Sequence, residues 1–302
     1  MRSLPGKLTT AIILSAFLFS CKKNVQETME HERFAAQTIS ATEAAVGICD
    51  YEITEASLIS SGWTKRFEDN FSGTLDQWNI WTGGAYNYEL QYYNPTNLKI
   101  DAASGILTIE ARRETVTGAT LPTDQTPKKF DFTSGRIEAK THFSSSPTTP
   151  KVRMAARIKL PKGTGMWPAF WSYGDPWPTQ GEIDIMEAKG QQTFQYSTAY
   201  WYGRNANKVQ GSDALITTNV DLSECFHVYE LIWEKDKLTY SLDGNIVNTK
   251  SGGSIPNMYK KQQRVVLNLA VGGLFFGNPP LTASDIQTGS MQVDWVKVFT
   301  AK

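Results

Sequence analysis

The sequence predicts an all-β protein, two antiparallel sheets packed as a curved sandwich, on three observations. Beyond about residue 60, short apolar and aromatic runs recur, separated by Gly, Pro, Asn and Asp. Long stretches of helical periodicity are absent. No strand–helix–strand alternation occurs either, so the strands pair with near neighbours rather than through crossovers. A long, curved sandwich offers a concave face across which a polymer can lie.

The predicted strands follow in chain order at 106–111, 135–140, 152–160, 166–173, 182–189, 193–202, 227–234, 238–242, 245–249, 265–271 and 291–299. Asp243-Gly244 carries a hairpin turn signal between the strands at 238–242 and 245–249, because both central residues of such a turn need positive φ. No internal repeat is evident.

Lys+Arg and Asp+Glu both number 30, so the formal net charge is zero. Nothing in the charge balance therefore points to a nucleic-acid or acidic-membrane partner. The chain has 302 residues, 40% of them hydrophobic. That suffices for one domain of about 200–250 residues plus an appendage, and a monomer is expected. Nine Trp, twelve Tyr and fourteen Phe form a heavy aromatic load, much of which an all-β core absorbs.

Arg2 and Lys7 precede an apolar run from Ala11 to Phe19. The run is too short to span a bilayer and suits a secretion signal. Leu18-Phe19-Ser20-Cys21 resembles the lipobox of bacterial lipoproteins. The resemblance implies a signal peptide over 1–20, lipidation of Cys21 and a membrane-anchored, exported protein. Residues 21–60 are polar and read as a flexible tether, and residues 61–300 as the folded domain. Cys49 and Cys225 remain. An exported compartment permits their pairing, and the sequence leaves a disulfide and two buried thiols both open. His31, His142 and His227 are scattered, so zinc and Cys–His chemistry lack a motif.

The most informative segment is Glu182-Ile183-Asp184-Ile185-Met186-Glu187. In a regular strand Glu182 and Asp184 share a face, and Glu187, five residues after Glu182, turns away. One extra residue in a β-bulge, most simply Met186, returns Glu187 to the other acids. Like charges crowded on one face repel, and nothing basic interleaves them before Lys189. Such crowding is used in glycoside cleavage with retention, which needs two carboxyl groups about 5–5.5 Å apart. Aromatic residues flank the acids: Trp167, Phe170, Trp171 and Trp177 before them, and Tyr196, Tyr200, Trp201 and Tyr202 after. Flat rings suit the apolar faces of sugars.

These residues resemble glycoside hydrolase family 16. Gly181 to Glu187 match its Glu-x-Asp-x-x-Glu signature in the bulged form, and Trp167-Pro168-Ala169-Phe170-Trp171 match the preceding strand. Glu89-Leu90-Gln91-Tyr92-Tyr93, Phe226-His227-x-Tyr229, Asn268 to Gly273 and Val293 to Val298 follow in order. The resemblance implies a concanavalin-like β-jelly roll with a concave substrate cleft. It implies Glu182 as nucleophile, Asp184 as its helper and Glu187 as acid/base, with the Glu187 pKa raised by its neighbours while it must donate. Trp167, Trp171, Glu89, Tyr92, Tyr200, Trp201 and Phe275 become the candidate sugar contacts. No cofactor serves catalysis. A structural calcium ion is implied on the convex side, at Asp294, Gly105 and Asp69.

Departures bear on the substrate. Asn87-Tyr88 precedes Glu89 where relatives cutting β-1,3-glucans often have two Asn, and the strand after the acids, where they often carry a His, reads Ser197-Thr198-Ala199-Tyr200-Trp201. The implied activity is endo-hydrolysis of β-1,3 or mixed β-1,3/1,4 glucans. A galactan hydrolase, a transglycosylase and a non-catalytic carbohydrate-binding sandwich are the alternatives.

Overall fold

The computed structural model describes residues 44–302. The expected signal peptide, Cys21 and most of the expected tether therefore lie outside the described residues. A short helix α1 (Glu55–Ser60) comes first, followed by seventeen strands among the described residues. These are β1 (Thr64–Asp69), β2 (Trp78–Ile80), β3 (Gln91–Tyr93), β4 (Leu98–Asp101), β5 (Ile106–Leu121) and β6 (Asp124–Ser134). Next come β7 (Arg136–Ala139), β8 (Lys151–Lys159), β9 (Met166–Tyr173), β10 (Glu182–Glu187), β11 (Gln195–Gly203) and β12 (Val209–Thr217). The last are β13 (His227–Trp233), β14 (Lys237–Leu242), β15 (Asn245–Ser251), β16 (Arg264–Val271) and β17 (Gly289–Ala301).

They form two sheets. The first runs β15-β14-β13-β8-β17-β5-β6-β3, with β1 on β17 and β4 on β5; the second runs β12-β11-β10-β9-β16-β7-β2. Pairing is antiparallel except between β3 and β6, a short parallel pair beside the cleft. Between the sheets lies the main core. Met154, Ala156, Tyr229 and Val296 face it from the first sheet, and Phe170, Ile183, Leu267 and Leu269 from the second. The three longest additions to the expected strands, β6, β12 and the outer half of β5, carry many exposed polar side chains, and it is this that hides them from an apolar-run reading.

The tether boundary at residue 60 needs correction, because from residue 44 the chain is already part of the fold. Ala45 bridges Thr218, and Cys49 is disulfide-bonded to Cys225 with Cα atoms 5.6 Å apart. Tyr51 and Ile53 cover Ala155, Val228 and Trp295, which point away from the main core. Residues 44–53 thus form a strap over the first sheet, on the side opposite the second. Its contacts lie more than 100 positions away in sequence, so composition alone reads it as linker.

Candidate active site

The second sheet presents its outer face as a groove of about 570 Å³. On β9, Trp167, Ala169, Trp171 and Tyr173 alternate onto that face, opposed by Ala270, Asn268, Val266 and Arg264 of β16. Across the other edge of β9, Tyr173 pairs with Glu182 and Trp171 with Asp184. The register then slips: Met186 pairs with Phe170 and Glu187 with Ala169. Against β11 the same slip sets Asp184 opposite Ala199 and Glu187 opposite Ser197.

The bulge therefore spans Ile185 and Met186, with Ile185 the residue lacking a partner on β9. Both side chains enter the core, 1% and 0% exposed, where a regular pleat would send one of them outward. Two consecutive inward residues are what return Glu187 to the groove. Glu182, Asp184 and Glu187 all line it.

Each of the three acids accepts a hydrogen bond from a different indole. Trp177 Nε1 donates to Glu182 Oε2 at 2.7 Å, Trp201 Nε1 to Asp184 Oδ2 at 3.0 Å, and Trp167 Nε1 to Glu187 Oε1 at 3.0 Å. An indole N–H donates only and does not titrate, so these contacts orient the carboxylates without exchanging protons with them.

The walls are aromatic and cationic. Trp167 stacks on Phe275 with ring centroids 4.5 Å apart, and Lys189 Nζ lies 5.0 Å from the other ring centre of that stack. Burial lowers the pKa of Lys189. Trp171 donates to Asn268 Oδ1 at 2.7 Å and stacks on Tyr173. Arg136 lies over Trp81 at 4.1 Å and over Trp171 at 4.9 Å, and it is ion-paired with Glu138 at 2.6 Å. Glu138 also accepts from Arg264 Nε at 2.8 Å and from the Tyr173 hydroxyl at 3.2 Å. Burial foremost, with the Glu138 charge adding, pushes the Tyr173 phenol up to about 12 against the opposing effect of Arg136. At the near end, Glu89 accepts from Gln91 Nε2 at 2.6 Å, and Gln91 in turn accepts from the Val271 backbone N–H.

Of the candidate sugar contacts, Trp167, Trp171 and Glu89 line the groove, Trp201 reaches it through Asp184, and Phe275 backs Trp167. Two are corrected. Tyr200 pairs with Ile183 and shares its inward direction, so it belongs to the core at 7% exposure. Tyr92 turns away from Gln91 and Tyr93 and packs against Phe130 and Gly118. Trp177, noted in the sequence as a flanking aromatic, lines the groove, and sequence reasoning missed Trp81, Tyr93, Arg136, Tyr173 and Arg264. Parity along β9 from Trp167 was a usable signal for Tyr173.

The expected calcium donors do not fit a calcium cage. Asp69 accepts from the Phe71 backbone N–H and from Trp78 Nε1 at 2.7 Å. Asp294 is already neutralised by Arg157, whose Nη1 lies 2.5 Å from Oδ2. Gly105 sits against the Asn70 carbonyl, where a Cβ would lie at 2.8 Å. Among the described residues no group of three or more His, Cys, Asp or Glu is placed to hold a metal.

Comparison with known proteins decides the family. Residues 80–297 match Glycosyl hydrolases family 16. The chain belongs to this family. It is 32% identical over 270 residues to glucan endo-1,3-beta-glucosidase A1 of Niallia circulans, covering 79% of this chain and 38% of that one. It is 32% identical over 262 residues to glucan endo-1,3-beta-glucosidase of Cryptopygus antarcticus, covering 79% and 92%. The chain thus spans about two fifths of the first relative and most of the second. Among solved structures, endo-beta-1,3-glucanase from Pyrococcus furiosus superposes with a TM-score of 0.65 at 31% identity, over 80% of this chain and 95% of that chain. The jelly-roll sandwich of two sheets is the family's fold.

Proposed function

We propose that this family 16 hydrolase is a retaining endo-β-glucanase acting on β-1,3 or mixed β-1,3/1,4 glucans. The observation that carries the reading is the bulge at Ile185–Met186, which sets Glu187 on the face already holding Glu182 and Asp184. Glu182 attacks the anomeric carbon while Glu187 protonates the departing oxygen, giving a glycosyl ester on Glu182. Ester formation removes the Glu182 charge. Glu187 then takes a proton from the incoming water, whose oxygen releases the sugar and restores Glu182. Asp184, between them on the strand, orients the nucleophile. The named glucanases among the relatives support the substrate class.

The chain is further proposed to act outside the cytosol, anchored through Cys21. The lipobox-like sequence motivates the anchor, and the Cys49–Cys225 disulfide supports an oxidising compartment.

The test is reducing-end release from laminarin, mixed-linkage glucan, agarose and carrageenan, with Glu182→Gln and Glu187→Gln alongside. Activity on either glucan, lost in both variants, is expected. Turnover of agarose or carrageenan alone would reassign the substrate, and full turnover by Glu182→Gln would remove the nucleophile.

A further inference from the structure

Away from the groove, beneath the strap, a sulfur, an imidazole and a carboxylate stand in line. His227 Nδ1 lies 2.7 Å from Asp243 Oδ2, and His227 Nε2 lies 3.4 Å from Cys225 Sγ. A carboxylate accepts, so Nδ1 carries the hydrogen in this contact. In the neutral ring that leaves a lone pair on Nε2 aimed at sulfur. A disulfide sulfur has no hydrogen to offer it, whereas a thiol in the same place has one. The ring is fully buried, and a buried acceptor without a donor is costly. With the ring neutral, the polar surroundings suit the reduced form of Cys225.

The carboxylate is fixed from two sides. Asp243 Oδ1 accepts from the Val228 backbone N–H at 2.7 Å, and Oδ2 accepts from the strap's Ile48 N–H at 2.8 Å. Gly47 lets the strap lie close, since a Cβ there would fall 2.3 Å from Val220 Cγ2 and 3.6 Å from the imidazole. The same docking that bonds Ile48 to Asp243 therefore brings the neighbouring Cys49 to Cys225.

We propose that Cys225, His227 and Asp243 form a thiol-activating site that closes the Cys49–Cys225 bond when the strap docks. His227 Nε2 takes the Cys225 proton, and the thiolate attacks a small-molecule disulfide such as glutathione disulfide, expelling one thiolate. Cys49 then attacks Cys225 Sγ in the mixed disulfide and expels the second. Two protein thiols are oxidised and one external disulfide is reduced to two thiols. The proposal is independent of the glycan chemistry.

Other titratable groups face this site. Tyr196 of β11 and Tyr229 of β13 sense the Asp243 charge, and burial raises both phenols. From the strap come Tyr51 and Asp50, the latter accepting from the Phe226 N–H beside Cys225. Glu224 precedes Cys225 in the same loop. Glu230 is ion-paired with Arg153.

The size of the effect selects the readout. Lowering a thiol pKa from about 8.5 to about 6.5 raises its thiolate fraction at pH 7 roughly 25-fold but cuts its nucleophilicity about eightfold. The net gain is only about threefold, so the shape of the pH profile is diagnostic and the rate at one pH is not. The experiment reduces the full chain, adds glutathione disulfide and quenches by alkylation between pH 6 and 9. Wild type should level off above about pH 7, and His227→Gln should keep climbing through about pH 8.5 as an ordinary thiol does. Identical profiles would overturn the proposal. Since His227→Gln disturbs a buried pair, Cys49→Ser, checked for folding by circular dichroism, gives a second measurement. Its Cys225 is reacted with methyl methanethiosulfonate across the same range. A plateau near pH 7 supports the site. A tenfold rise per pH unit up to pH 8.5, or an inert thiol, overturns it.

Discussion

Trp201 Nε1 donates to Asp184 Oδ2 at 3.0 Å from a position directly across the strand pair from Glu182. The indole therefore holds the residue that orients the proposed nucleophile. An indole N–H does not titrate, so this donor is the same at every working pH. Trp201→Phe keeps the ring and loses the donor. A hydrogen bond to a charged group is worth about 1.5–3 kcal/mol, so kcat should fall roughly 10- to 100-fold. Trp201→His should recover part of that loss above pH 7, where the neutral ring still donates one N–H. Steady-state kinetics on laminarin decide it, and an unchanged kcat in Trp201→Phe would leave the contact without a role.

Lys250 on β15 is 8% exposed, and burial lowers its pKa to about 8. The folded chain binds fewer protons than the unfolded chain between about pH 8 and 10.5, so stability rises with pH across that window. Below it, keeping this ammonium buried costs on the order of 3 kcal/mol. Lys250→Met should raise the urea midpoint at pH 7, with the advantage shrinking as pH climbs from 8 toward 10.5. Equal midpoints for the two proteins at pH 7 would contradict this.

The disulfide closes a loop with a sequence separation of 176. Chain entropy places its contribution near the upper end of about 2–5 kcal/mol. Cys49→Ser/Cys225→Ser should lose that much in urea unfolding while keeping its turnover, because the strap and the groove lie on opposite sides of the molecule. Loss of turnover in a folded double variant would show coupling between the two faces.

Arg157 is ion-paired with Asp294 at 2.5 Å, Glu52 at 3.1 Å and Asp50 at 3.3 Å. A guanidinium already occupies the charge position that a calcium ion would need at Asp294. The melting temperature should therefore agree within about 1 °C in calcium and in EDTA, while Arg157→Ala should cost about 1–3 kcal/mol. A calcium-dependent rise of several degrees in wild type would mean the cation displaces the guanidinium.

How far the sequence carried this picture depended on distance along the chain. The slip at Ile185–Met186 was legible because it is written into six consecutive residues, and only the unpaired position, Ile185 rather than Met186, needed coordinates. Tyr200 and Trp201 look alike as flanking aromatics, yet one faces Ile183 and the other Glu182. Only the register with β10 separates them. Arg136, which lines the groove, and Glu138, which anchors it, pair with β16, more than 120 positions later, and no local pattern announces that pairing. The strap was opaque for the same reason. Its polar composition resembles a linker, and its fixing points at Cys225, Asp243 and Arg157 are all remote.

That remoteness bears on how the chain can be trimmed. A recombinant fragment started at residue 61, where the composition changes, would leave Trp295, Ala155 and Val228 uncovered. It would also leave Cys225 unpaired and Asp243 short of one donor. Greasy backs and stray thiols make poor solution behaviour. Starting upstream of Ala45 keeps the seal.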